Sequence, residues 1–280
     1  MFPCRNHPMP VATFRRAGLT LAELLSAVAI LSVIGLAMAT LSMTIQQGSD
    51  YSNGRLEAAQ HARVVVDRIQ RTLQNAHASE QYPGFHIVTS DAALYSAPDT
   101  IAIWSPDGVP ANPDGLPLWS ELIVYCPEDG NPNRLLELVD RSANQLVPAL
   151  HDLSNWESEL SQFKSSVTTT KSELTDLVRG AQVDLEGYAS TPMYAPRGAV
   201  RFHQRQLPSN QDLDNYHSGA TQWNDLPWVQ NIRGTQTGLR QSWCSFEVQL
   251  MPGAEAAENP SREAAIPFFG SGAVYYEIHK

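Results

Sequence analysis

Arg15-Arg16-Ala17-Gly18-Leu19-Thr20-Leu21-Ala22-Glu23-Leu24-Leu25 opens a long apolar run. A short basic leader ends in glycine, and one carboxylate, Glu23, stands in the first turns of the run. From Leu24 to Ile45 there are 22 residues without a charge, dominated by Leu, Ala, Val, Ile and Met. At about 1.5 Å per residue, a helix of that length covers the ~30 Å hydrocarbon core of a bilayer. Arg15 and Arg16 precede it, so the positive-inside rule predicts a cytoplasmic N-terminus and a globular part on the far side. A carboxylate inside a membrane-length segment is expensive and usually functional.

Three readings of this segment compete. Ala37-Met38-Ala39 fits the small-x-small cleavage rule of a secretory signal. Against that, such a signal has no use for Glu23, and the apolar run continues through Leu41, Met43 and Ile45. Phe14-Arg15-Arg16 suggests a twin-arginine signal, on little more than the arginine pair. The third reading accounts for Gly18, Glu23 and the length together. Gly18-Leu19-Thr20-Leu21-Ala22-Glu23 followed by a membrane-length helix resembles the processing site of type IV prepilins and type II secretion pseudopilins.

The resemblance covers about residues 15–45, and it carries specific expectations. It implies that a prepilin peptidase/methyltransferase cuts between Gly18 and Leu19 and N-methylates Leu19. The family's usual residue at that position is Phe, so Leu19 departs from the pattern while keeping a bulky apolar side chain; Thr20, Leu21 and Glu23 match it. The resemblance further implies that Glu23, with Thr20, serves assembly by pairing with the freed amine of a neighbouring subunit. Desolvation of an isolated carboxylate favours its neutral form unless a cation is near, and such an amine is a cation. The plainer alternative for Glu23 is a group that snorkels to the interface or favours the helix dipole.

The rest of the composition is that of an acidic globular protein. Of 280 residues, 19 are Lys or Arg and 29 are Asp or Glu. Setting aside Arg5, Arg15 and Arg16 of the leader leaves 16 bases against 29 acids, a net of −13. That balance argues against a nucleic-acid partner, which needs a basic patch. Cys4 would leave with the leader. Cys126 and Cys244 remain, and an extracytoplasmic location permits a disulfide between them; the alternative is two buried free thiols in separate strands.

No proline occurs between Leu19 and Tyr82, so the helix is predicted to run on past the membrane to Pro83-Gly84. Gly48-Ser49-Asp50-Tyr51-Ser52-Asn53-Gly54 marks a soft spot or short break. Beyond it Ala59, Ala62, Val66, Ile69, Leu73 and Ala76 form a helical apolar stripe. Strands are expected at 100–104, 122–126, 135–139, 200–203, 243–250 and 273–278, with a long-looped hairpin across 127–133. Leu153, Trp156, Leu160, Phe163, Val167, Thr170, Leu174 and Leu177 recur at three- and four-residue steps, which predicts a helix between Ser154 and Gly180. Ser154 and Glu157 resemble its capping box, while Thr168-Thr169-Thr170 weakens its middle. This segment either covers the sheet or docks a partner subunit. From Pro192 to Gly238 long ordered loops are expected, with Trp223 and Trp228 as anchors to the core or marks of an interface.

The predicted fold is α+β. A long N-terminal helix, membrane-spanning in its first half, packs on an antiparallel β-sheet domain of pilin-like form, with an extra helical insertion near 153–179. The expected divisions are a leader over 1–18, a transmembrane half over 19–45, a soluble half over 46–81 and a β-rich periplasmic domain over 82–280. No zinc spacing, phosphate loop, nucleotide-binding glycine motif or nucleophile elbow is found, so no catalytic residue, resident metal or cofactor is expected. Asp107-Gly108, Asp114-Gly115 and Glu128-Asp129-Gly130 read as turns; Ca²⁺ is the one ion they could hold, and they lack the alternating ligand spacing of a loop site.

The helix region Asp67-Arg68-Ile69-Gln70-Arg71-Thr72-Leu73 and the size of the β-rich part look closest to the J-type minor pseudopilins. The resemblance therefore implies a non-enzymatic, single-pass inner-membrane subunit with a periplasmic domain. It would prime or cap a periplasmic filament, with other major and minor pseudopilins and the inner-membrane assembly platform as partners. A type IV pilus or DNA-uptake minor pilin, and an exported enzyme or binding domain on a simple anchor, are the competing classes.

Overall fold

The structure is a computed structural model that describes residues 20–92, 95–184, 194–229, 235–253 and 265–280. Among these described residues it is α+β: one long N-terminal apolar helix and three antiparallel sheets. The chain divides into two compact units, Met1–Asp50 and Tyr51–Lys280.

Helix α1 runs without interruption from Leu21 to Gln74. The expected break at 48–54 is absent, because a helix tolerates an isolated glycine at a cost of only about 1 kcal/mol. Gly54 has a packing role: a Cβ there would stand 3.1 Å from the carbonyl oxygen of Pro252, so the missing side chain lets that loop reach the helix. The helix also ends earlier than residue 81. Ala76 N–H bonds back to Leu73 O in a tightened last turn, and His77 N–H turns away to Trp104 O at 2.9 Å. The buried stripe is Ala58, Ala62, Val65, Ile69, Thr72 and Leu73, rotated slightly from the predicted one.

Within the second unit, a five-stranded sheet has β1 (Phe85–Ala92), β2 (Tyr95–Trp104), β3 (Leu122–Glu128), β4 (Asn131–Val139) and β5 (Thr170–Thr175) in sequence order. Strand alternation splits their side chains between two cores. Ile101, Ile103, Ile123, Tyr125 and Leu135 face the α1 stripe. Ala102, Trp104, Leu122, Val124, Cys126, Leu136 and Leu138 face the other way. Both faces of β3 are thus covered, and it reads as a near-continuous apolar run. The hairpin between β3 and β4 is tighter than predicted. Glu128 pairs with Asn131 across an Asp129-Gly130 turn, and Gly130 takes φ +84°, a conformation that suits glycine.

The predicted helix over 154–180 is corrected. Helix α2 spans only Leu153–Ser165, its first turn capped by Asp152 accepting from Asn155 N–H, and not by Ser154 with Glu157. The β-branched run Val167-Thr168-Thr169-Thr170 leaves helical geometry and enters β5. Thr169 Oγ1 donates to the Phe163 carbonyl and so closes the helix end. The apparent seam is divided accordingly. Trp156, Leu160 and Phe163 cover the second core, Leu177 joins the first, and Val167 is fully exposed.

The remaining strands are β6 (Gly180–Asp184) with β7 (Tyr194–Gly198), and a three-stranded sheet of β8 (Val200–Leu207), β9 (Thr237–Leu250) and β10 (Ile266–His279) in the order β10-β9-β8. The 192–238 stretch is more regular than the predicted loops. It holds β7, β8 and helix α3 (Asn210–His217), which starts in a Ser209–Asp212 capping box. Trp223 and Trp228 are buried with Leu226, Tyr276 and Ile278 in a third core, as anchors.

Gly270 pairs with Phe246 across β9 and β10, and a Cβ on it would come within 2.2 Å of the phenyl ring. The ring occupies the space a side chain would need. Gly270→Ala should therefore cost about 1–3 kcal/mol in urea unfolding. Adding Phe246→Leu should recover part of that loss; strictly additive costs would show that the ring is not what excludes the methyl group.

Candidate functional site

The helix start is built from two side chains. Glu23 Oε2 accepts from Thr20 N–H and from Thr20 Oγ1, each at 2.9 Å, and Thr20 Oγ1 accepts from Glu23 N–H at 3.3 Å. This is the reciprocal pattern of a capping box, which satisfies donors that the first helical turn leaves open. Both bonds to the carboxylate fall on Oε2. Gly18 and Leu19, the residues of the expected cleavage, lie outside the described residues, as does the rest of the expected leader over 1–18.

Past this box every residue from Leu24 to Ile45 is exposed. An 18-residue window of the helix has a mean hydropathy of 2.4. By length and composition the helix suffices for a membrane anchor or a signal sequence. Three of its hydroxyls are turned inward on the backbone one turn back: Ser26 donates to Ala22 O, Ser32 to Val28 O and Thr44 to Thr40 O, at 2.8–3.0 Å. That i−4 bonding removes polar hydrogens from the helix surface, which an apolar surrounding requires.

In the second unit, Glu137 is another carboxylate set in an apolar run, and it is buried. Its neighbours Leu136 and Leu138 face the second core, and alternation turns Glu137 toward α1. There Arg68 grips it with a two-pronged contact, Nε to Oε2 at 2.6 Å and Nη2 to Oε1 at 2.7 Å. Tyr125, its cross-strand partner, donates its hydroxyl to Oε2 at 3.0 Å, and Thr72 Oγ1 lies 2.7 Å from the same hydroxyl. Burial opposes ionisation of Glu137, but the bonds from Arg68 and Tyr125 outweigh it and hold the carboxyl below the usual glutamate range. Burial pushes the Tyr125 hydroxyl well up, so it stays a donor. Sequence reading missed this network. The available signal was a single Glu between leucines at strand spacing, opposite an arginine on the helix.

Cys126 and Cys244 are free and buried, the second of the two alternatives their presence left open. Cys126 lies in the second core and Cys244 in the first, on strands of different sheets. Burial pushes both thiols up to about 12, so neither is a ready thiolate at neutral pH. The acidic turns act as turns: Gly108 has φ +101°, Glu128 reaches Arg134 at 3.5 Å, and Asp129 pairs with Lys164 at 3.1 Å. Among the described residues, no group of three or more His, Cys, Asp or Glu is arranged to hold a metal ion.

Glu137 titrates below its unfolded value of about 4.3. Its stabilisation is therefore complete above that value and is lost as pH falls through the lower folded one. The melting temperature should begin to drop as pH falls below about 5 and keep dropping through the lower folded value. Glu137→Gln should lack that part of the slope and be less stable at pH 7 by about 2 kcal/mol, a modest figure because Arg68 keeps half its surface in water. Parallel pH profiles for the two proteins would count against the linkage. A thiol titration offers a second check: Cys126 and Cys244 should stay unreactive when folded and both react once unfolded without reductant.

No protein-family model matches the chain, and no curated protein or solved structure matches it either.

Proposed function

We propose that this chain is a minor pseudopilin, a non-catalytic subunit of the periplasmic filament of a type II secretion machine that acts in priming or at the tip. The observation that carries the reading is α1 itself. One unbroken helix of 54 residues begins at a Thr20–Glu23 box, exposes an uncharged apolar stretch, and continues into a stripe packed on antiparallel sheet. A secretory signal needs none of this continuity, since cleavage after Ala39 would discard the box and most of the span.

In this reading the chain is cut after Gly18, Leu19 becomes the methylated N-terminus, and the apolar stretch holds the subunit in the inner membrane until assembly. Oε1 of Glu23, which its Thr20 bonds leave over, receives the amine of a neighbouring subunit. A charge whose desolvation is relieved by that partner favours the assembled state. A minor pilin of a type IV pilus or DNA-uptake machine would use the same device, and it stands as the second reading on the same helix.

Mass spectrometry of the mature N-terminus separates the classes. Methylated Leu19 is the expected species; Thr40 as first residue would mean an ordinary signal peptide, and retained Met1 a simple anchor. Glu23→Ala should be processed normally but crosslink to partner pseudopilins at least about tenfold less, the order expected when one member of a desolvated charge pair is removed. Undiminished crosslinking would rule out the pairing.

A further inference from the structure

The three-stranded sheet ends in a long edge. Among the described residues, the 14-residue β10 pairs with β9 and with no other strand. Lys280 N–H bonds to Gln236 O in continuation of their register, so the even-numbered residues turn their backbone groups toward β9. The odd-numbered residues turn theirs outward. Two of those outward groups are met by side chains: Gln70 Nε2 donates to Ser271 O at 3.0 Å, and Glu80 Oε1 accepts from His279 N–H. Pro267, at another outward position, has no N–H to offer. Between the two side-chain caps, Ala273, Tyr275 and Glu277 aim three N–H and three C=O groups outward, and among the described residues none of these has a partner in the protein.

Folded proteins guard such edges with charges, bulges or short strands, because an open edge is a template for pairing. The other edges of the two larger sheets carry these devices. β5 has six residues and holds Lys171 and Glu173, β1 is bulged between Val88 and Ser90, and β8 carries Arg201 and Arg205. By contrast, β10 has no charged residue from Ile266 to Tyr276. Tyr275, on the open run, is 44% exposed. Ala273 stands opposite Trp243 of β9, which is 36% exposed, and the small alanine leaves that ring open from the edge.

We infer that the Ala273–Glu277 edge accepts an added strand: an extended segment of another protein, laid antiparallel along β10. Alternating N–H and C=O groups at strand spacing are matched by another extended backbone, so the occupant follows from the groups themselves. The antiparallel sense continues the sheet's own pattern and gives each outward residue a doubly bonded partner. Gln70 and Glu80 close the ends, which leaves room for about five residues at ~3.4 Å each. Opposite Ala273 and Tyr275 an apolar, β-branched side chain packs on the rings of Trp243 and Tyr275. Opposite Glu277, with Glu80 bonded two residues on, a basic side chain suits. A second copy of this chain would bring a net charge of −10, and its own Gln70 and Glu80, to the same edge; a short segment brings neither. The inference goes beyond the filament reading and does not rest on it, since an anchored binding protein would present the same strand.

The test uses the full-length chain in phosphatidylcholine nanodiscs and a fluorescein-labelled peptide, Lys-Thr-Val-Thr-Val-Thr, read by anisotropy. In the antiparallel register its lysine stands opposite Glu277 and its valines opposite Tyr275 and Ala273. N-methylating both valines removes N–H groups aimed at β10, whereas N-methylating the first two threonines removes groups aimed away from it. The parent and the threonine-methylated peptide should bind. The valine-methylated one should bind at least about tenfold more weakly, the order expected for two lost hydrogen bonds. Ala273→Pro removes an outward donor at the kind of position Pro267 already occupies, and Tyr275→Lys adds the charge that this edge lacks. Each should weaken binding at least about fivefold with an unaltered circular dichroism spectrum; should the proline variant misfold, Tyr275→Lys and the methylated peptides carry the test. No binding, equal binding of the two methylated peptides, binding indifferent to the variants, or self-association in sedimentation velocity that Tyr275→Lys abolishes would each overturn the proposal.

Discussion

The second unit depends on one contact, that between the stripe of α1 and the inner faces of its sheets. Ala58, Ala62, Val65, Ile69 and Leu73 are each at most 2% exposed, and they meet side chains from both the five-stranded and the three-stranded sheet. Small residues at 58 and 62 let the helix sit close, and larger ones further on fill the widening space. Without that ridge the inner faces of both sheets would lie open, and neither sheet has another element in the first core of comparable length. The second core is a local matter by comparison, since α2 and the segment around Trp119 and Val147 cover one face of one sheet.

Two carboxylates set in apolar runs, Glu137 and Glu23, are resolved differently. Glu137 is answered within the chain: Arg68 from the helix and Tyr125 from the adjacent strand satisfy both of its oxygens. Removing Arg68 would leave the Glu137 charge without its counter-ion, so the fork also fixes the rotation of α1 over β4. Glu23 is answered in part, by Thr20 on one oxygen. Its neighbours are apolar and exposed, and no described base comes to it.

Much of this was readable from residues, and the failures have physical causes. The 3.6-residue period from Ala59 to Ala76 announced the helix, and the β-branched runs at 100–104 and 122–126 announced central strands. Leu153 to Leu177 misled because a three–four spacing is satisfied equally by a helix of thirteen residues followed by a strand, once the threonines break the first. Periodicity measures spacing and has no knowledge of a hinge. The disulfide could not be decided from spacing, since alternation sends Cys126 and Cys244 to different cores. At the helix start the Thr20–Glu23 bond was implicit in a Thr-x-x-Glu pattern, whereas the Arg68–Glu137 fork joins residues far apart in sequence and needed the sheet register to become visible. Trp243 could not be told from the buried tryptophans, because exposure depends on which face of β9 is covered.

The inward-turned hydroxyls of Ser26, Ser32 and Thr44 have a consequence for neighbouring helices. With these hydroxyl hydrogens spent on its own carbonyls, this part of α1 offers an adjacent helix mainly shape and dispersion and few directional bonds. Such a surface behaves as a bearing: a neighbour can slide or turn along it over low, closely spaced barriers. Any fixed stagger between two such helices must then be imposed at their ends.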